Sequence, residues 1–164
     1  MFKRSGAAEA RSSYLGHVLT ENRHGLVVEA MVTESATKAE REAALAMLRR
    51  LRRRGRATLG ADKAYQEESF IAALREQNIA PHVAEYAPSK HWPNWQTHAE
   101  REHPGFVRSQ QKRKLVEQVF GWIKASAGLR RTKLRGRRRV DWMFSIAATA
   151  YNLIRMRKLL ASPA

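Results

Sequence analysis

Two largely apolar runs, Tyr14–Leu19 and Gly25–Thr33, stand apart by only the polar stretch Thr20-Glu21-Asn22-Arg23-His24. Two short strands joined in this way pair most readily with each other, as an antiparallel hairpin. Beyond the hairpin the hydrophobic period changes. Thr37-Lys38-Ala39-Glu40 has the spacing of a capping box and predicts a helix to about Arg53, with Ala44, Leu48 and Leu51 on one face and Gly55 as its stop. Ala57–Asp62 reads as a short strand. A helix over about Gln66–Gln77 comes next, with Phe70, Ile71 and Leu74 as its apolar face. Ile79–Ala84 is another short strand, and Pro81 makes it an edge strand or a strand start. Residues 85–105 show no periodicity and are expected to form a loop. Amphipathic helices are expected over about Ser109–Lys124 and Val140–Leu160. A hairpin followed by alternating helices and strands implies an α/β fold, a mixed sheet with helices packed on it.

The chain is 164 residues long and 43% hydrophobic, which suits one domain with a modest core. It has no Cys, so disulfides, thiolate metal sites and a cysteine nucleophile are excluded. No run approaches the roughly 20 apolar residues needed to span a bilayer. The start, Met1-Phe2-Lys3-Arg4, is not a secretory signal. Lys plus Arg number 31 against 15 Asp plus Glu, a formal net charge of +16. A soluble, intracellular protein with a polyanionic partner, above all nucleic acid, is the expectation. The excess is not spread evenly. Residues 1–100 hold 15 basic and 12 acidic side chains, a balance of +3, and residues 101–164 hold 16 and 3, a balance of +13.

Two Arg-rich runs stand out. The run 49–56 has six Arg in eight positions and lies at a helix C-terminus, where the dipole favours positive charge. The run 130–139 contains Arg130, Arg131, Lys133, Arg135, Arg137, Arg138 and Arg139 and lies between two helices. It reads as a phosphate-contacting loop, against the plainer reading of a solvated segment.

Two carboxylates stand out as well. Asp62 ends a strand, the place where ligands meet open sheets with helical crossovers, although capping the next helix would use the same residue. Glu117 is one of three acids after residue 100. On a continuous helix with Arg113 at 0°, it falls at about 40° and Lys124 at about 20°, one stripe beside the apolar arc. Lys124 is nearly two turns beyond Glu117, too far to be its simple partner, but on spacing alone an ion-pair ladder between Arg113 and Glu117 is the better reading of that stripe.

At these residues the chain resembles the C-terminal part of insertion-sequence transposases of the DDE type. One branch of them carries a Tyr-x2-Arg-x3-Glu-x6-Lys signature. Arg113, Glu117 and Lys124 fall at its spacings, with Gln110 at the Tyr position. Further likenesses are Leu59–Tyr65, Arg101-x-His103-Pro104-Gly105-Phe106, Phe120–Lys124 and Tyr151–Arg155, so that the resemblance spans about Tyr14 to Leu160.

The resemblance implies an RNase H-like catalytic domain with C-terminal helices, in which three carboxylates hold two Mg²⁺ or Mn²⁺ ions. These ions activate water and then a freed 3′-OH for attack on DNA phosphodiesters. By motif match Asp62 is the second carboxylate and Glu117 the third. Lys124 contacts phosphate near the cut, and Arg113 orients Glu117 or binds the DNA backbone.

The family's first carboxylate sits on a strand upstream of the hairpin, central in the sheet. Only Glu9 precedes the hairpin here, in a stretch that does not read as a strand. The expectation is therefore a truncated domain over 13–160 behind an irregular stub, 1–12. It would lack the central strand, expose two strand edges and be inactive alone. The partners implied are transposon-end and target DNA, with a homo-oligomer or an N-terminal part in trans. The implied location is cytoplasmic and nucleoid-associated. The alternative is a non-enzymatic basic DNA-binding protein in which Asp62 and Glu117 are structural.

The remaining features read more plainly. His82, His91, His98 and His103 lack metal-ligand spacing and are expected to be scattered surface residues. Trp92 and Trp95 are expected to anchor the loop in the core rather than stack on bases. Trp142, Met143, Ile146, Ala150, Leu153 and Ile154 read as the packing face of the last helix.

Overall fold

In this computed structural model, residues 13–51, 55–86 and 94–161 are described. The stub 1–12 with Glu9, residues Arg52–Arg54 of the first basic run, and His91 and Trp92 lie outside them. Strands β1 (Tyr14–Thr20) and β2 (Val27–Glu34) form the expected antiparallel hairpin, with Tyr14 opposite Glu34 and Leu19 opposite Glu29. Its turn is organised by one side chain. The Glu21 carboxylate accepts the N–H groups of Arg23 and His24 at 2.7 Å and that of Leu26 at 3.1 Å. Partial burial opposes ionisation there, but the three donors and nearby His24 pull the carboxyl below its ordinary range.

Helix α1 (Ala39–Arg50) leads to strand β3 (Ala57–Ala61), helix α2 (Glu68–Glu76) and strand β4 (Ile79–Val83). β3 and β4 are parallel, with Ala57 opposite Ile79 and Ala61 opposite Val83, as a helical crossover requires. The capping box does not form at α1, whose N-cap is Lys38 without a side-chain hydrogen bond. A complete capping box forms instead at Thr97 and Glu100, opening the short helix α3 (His98–Arg101) inside the stretch expected to be loop. Helices α4 (Gly105–Lys112), α5 (Leu115–Ala125) and α6 (Arg137–Ala161) complete the described chain.

The mixed α/β architecture is as expected, but its strands form two separate two-stranded sheets, β1–β2 and β3–β4. Helices cover both faces. Leu59 and Ala61 of β3 pack with Ala44 and Leu48 of α1 and with Phe70, Ile71 and Leu74 of α2. The alternate residue, Gly60, faces α4, where an added Cβ would lie 3.0 Å from the Ser109 carbonyl oxygen. A second core joins Val27 and Val32 of β2 to Val119 and Ile123 of α5 and to Val140, Phe144, Ala147 and Tyr151 of α6. Phe144 lies so close over Gly16 of β1 that a Cβ there would meet its ring at 2.6 Å. Only a residue without a side chain admits that approach.

The outer edges of both sheets are closed by side chains. On β2, the Val32 N–H donates to Asp141 Oδ1 at 2.6 Å. The Asn152 amide takes the Val27 N–H at 2.8 Å and donates to the Val27 carbonyl at 2.7 Å. On β4, the Gln96 amide does the same to Val83, at 2.9 and 2.8 Å. Pro81 has no N–H to offer, so its place on an edge strand costs nothing. The described part of the stretch after β4 is thus anchored by buried Gln96 and not by Trp95, which is 36% exposed.

The apolar face expected of the last helix is also revised. Trp142, Ile146, Leu153 and Ile154 point to solvent, and the buried residues are Val140, Phe144, Ala147, Ala148 and Tyr151.

Candidate functional site

The inner edges, β1 and β3, are treated differently from the outer ones. Among the described residues neither has a strand beyond it. Both line one cleft of about 710 Å³, β1 along Gly16–Thr20 and β3 along Ala57–Ala61. α1 contributes Ala44, Met47 and Leu48 to one wall, and Arg113, Val116 and Phe120 form the other. Asp62 stands at the C-terminal end of β3 and lines the same cleft.

Asp62 is exposed at the end of β3 and acts as a cap. Its Oδ1 accepts the Ala64 N–H at 2.8 Å, capping the single 3₁₀ turn Lys63–Tyr65. That turn presents the carboxylate at the strand end rather than burying it. Tyr65 beside it is too sheltered to ionise readily. Burial first, then the Glu40 and Asp62 charges, pushes its pKa up to about 12.

The single helix expected over Ser109–Lys124 is two helices. Arg113 and Lys114 keep nearly helical angles, but Val116 and Glu117 donate three residues back, to the carbonyls of Arg113 and Lys114. This tighter turn breaks the common stripe. Arg113 lines the same cleft as Asp62. Glu117 is exposed in the first turn of α5, between the cleft-lining Val116 and Phe120, and does not itself line the cleft. Lys124 is exposed two turns on, its Nζ 5.7 Å from the Phe120 ring centre. Arg113 and Glu117 form no salt bridge, so the ladder reading fails.

Gln110 ties this junction to the strand ends, a role that its departure from the signature's Tyr did not suggest. Its Nε2 donates to the carbonyls of His82 at 2.5 Å and Ala61 at 3.3 Å, and its Oε1 accepts Arg113 Nε at 2.8 Å. The residue next to Asp62 is thereby linked to the arginine across from it. Behind the linkage, His82 is fully buried and bonds Ser109 Oγ at 2.8 Å through Nδ1. The expectation that the histidines are all at the surface is corrected at that position. Burial, then the nearby His103, lowers the pKa of His82. Its Nε2 is buried without a partner, which suits a ring that stays neutral.

Of the basic run 130–139, Arg130, Arg131, Lys133 and Arg135 lie on the irregular connection from α5 to α6, all exposed. Leu129 and Leu134 pack against the core and anchor the connection from inside. Arg137, Arg138 and Arg139 are not loop residues but the first turn of α6, also exposed. The dipole disfavours three cations at a helix N-terminus, and no acidic residue offsets them there. Helix stability does not explain them. A polyanion does.

The donor set agrees in kind with a divalent-metal site. Asp62 and Glu117 are hard oxygen donors, both exposed. It falls short in number, for among the described residues no group of three or more His, Asp or Glu could hold a metal ion. No described helix is long and apolar enough to cross a membrane.

No curated protein and no solved structure matches the chain. A family model does, that of the Transposase DDE domain, over residues 2–153. With a carboxylate at a strand end, a cleft between open strand edges and a polycationic helix start, that match covers nearly the whole chain, and the chain belongs to the family of insertion-sequence DDE transposases.

Proposed function

We propose that the chain is the greater part of a transposase catalytic domain that cleaves and rejoins DNA strands once a further strand occupies the cleft between β1 and β3. The observation that carries this reading is the contrast between edges. Asp141, Asn152 and Gln96 seal the outer edges, whereas the inner two face each other across a cleft lined by Asp62. Unpaired edges are a liability that folded domains ordinarily cover. A strand docked there would pair with both sheets, unite them and bring its own side chains beside Asp62. A carboxylate on it would complete the set that Asp62 and Glu117 begin.

In the completed enzyme Asp62 and Glu117 would hold Mg²⁺ or Mn²⁺. Such a metal pair would lower the pKa of the attacking hydroxyl and stabilise the leaving oxygen. The chain's own residues do the rest. Gln110 fixes Arg113 at the wall of the cleft that Asp62 also lines, where its guanidinium can take a phosphate group in bidentate fashion. Lys124 and the exposed cations from Arg130 to Arg139 hold the DNA backbone. Residues 13–161 alone hold two of the carboxylates and do not turn over.

Calorimetry with Mn²⁺ and anisotropy with labelled duplex DNA test this on the purified chain, the Mn²⁺ titration being repeated with a partner supplying the missing strand. Asp62→Ala and Glu117→Ala are expected to abolish metal uptake by the completed site while leaving DNA affinity within about twofold. If neither variant alters metal binding, the two carboxylates are structural and the chain is a basic DNA-binding protein. Cleavage of transposon-end DNA by the chain alone would overturn the incomplete-site reading.

A further inference from the structure

The connection Asp62–Glu67 leads from β3 into α2, and one side chain of α1 spans it. Arg41 forms an ion pair through Nε with Glu67 Oε2, and its Nη1 donates to the Ala64 carbonyl at 3.0 Å. Ala64 is thereby held at both ends, because its N–H donates to Asp62 Oδ1 at 2.8 Å. Glu67 is committed to the same contact. It is the N-cap residue of α2, yet its side chain caps no backbone N–H there, and Oε1 takes the Ser69 hydroxyl at 3.0 Å. The Arg41 and Glu67 side chains are 26% and 33% exposed, more sheltered than the ion pairs that solvent screens away.

Packing does not call for this pair. Ala44 and Leu48 further along α1 already meet Phe70, Ile71 and Leu74 of α2. Charge does not call for it either, since a lone guanidinium near a cation site repels the cation. Arg41, Glu40 and Asp62 all act on the Tyr65 hydroxyl, so they share one neighbourhood. Glu67 cancels the Arg41 charge there and leaves its planar fork, which holds two acceptors in one geometry as a lysine does not. We infer that Arg41 is a positioning residue for Asp62. Its fork, neutralised by Glu67, fixes the turn Lys63–Tyr65 so that one carboxylate oxygen stays on Ala64 and the other is left for a divalent cation. Among the described residues Asp62 Oδ2 takes no hydrogen bond. The inference rests on the reading of Asp62 as a metal ligand.

Two readouts test it: amide exchange by NMR on the purified chain without metal, and Mn²⁺ calorimetry on the site completed by a partner supplying the missing strand. Arg41→Met should speed exchange of the Ala64 amide by about threefold or more. It should also weaken Mn²⁺ uptake by about tenfold, the usual cost of losing a group that orients a ligand. Charge alone predicts the opposite sign, because removing a cation tightens uptake. Arg41→Lys keeps the ion pair, and it should hold the wild-type urea midpoint while showing both defects. Arg49→Met, which removes the same charge at the exposed far end of α1, should change neither readout. Wild-type exchange and uptake in Arg41→Met would overturn the inference, as would recovery of both in Arg41→Lys. Unchanged uptake in Asp62→Ala would overturn the metal reading itself, whereas normal uptake confined to the Arg41 variants overturns only the positioning role.

Discussion

Gln110 shows how much one uncharged side chain can hold. Its amide serves two strand-end carbonyls and its oxygen an arginine, so that α4, β3 and β4 meet at one residue. Gln110→Ala takes the amide from the His82 carbonyl and from that of Ala61, which keeps the Ala84 N–H, and is expected to cost about 1–2 kcal/mol, measured as a lower urea midpoint at unchanged m-value. His82 makes a second prediction. Burial, with His103 close by, keeps its pKa below the ordinary value, and burial lowers that of His17 as well. The folded state thus binds fewer protons than the unfolded one. Stability should be fully present above about pH 6.5, the value of an unfolded histidine, and be lost as pH falls through the lower folded values. Melting temperature against pH in His82→Gln should show a shallower acid-side loss than the wild type. None of this was legible from residue spacing, because a lone Gln or His carries no periodic signal.

Among the elements, α6 is both a packing helix and a seal. Asn152 presents an amide to the backbone of Val27 much as a neighbouring strand would. Asn152→Ala removes both bonds from a partly buried edge and should destabilise the chain by about 1–3 kcal/mol. Asn152→Asp keeps only the acceptor and should fall between the two; paired thermal melts decide the order. The strands and α2 could be read from the sequence to within two residues or so, since each carries a clear run or stripe. The break after Lys112 could not, because near-helical angles at Arg113 and Lys114 leave the apolar pattern of α5 undisturbed. The face of α6 was misread for a related reason. A helix apolar on two sides gives no sign of which side the sheet will take.

At the scale of the whole molecule, the +13 balance of residues 101–164 has a place. Seven of the 16 basic side chains behind it follow the α5–α6 connection into the first turn of α6, outside the core. DNA affinity should fall steeply with salt. Arg137→Ser, Arg138→Ser and Arg139→Ser together should reduce the slope of log affinity against log salt by up to ~0.9 for each phosphate that they neutralise. An unchanged slope in fluorescence anisotropy would show that these arginines do not touch the backbone.

The sequence by itself determined the hairpin, the βαβ unit and the concentration of positive charge after residue 100. Hydrophobic period, turn chemistry and net charge are local or additive properties, readable without coordinates. Only the tertiary structure decided that the strands stand in two sheets with an open cleft between them. It also decided that Gln110 and Arg113 meet at the wall of that cleft, and that the second apolar side of α6 faces outward. Each of these depends on which of several chemically suitable surfaces packs against which. That choice is settled by how well distant residues such as Asn152 and Val27 fit each other, and no local pattern encodes it.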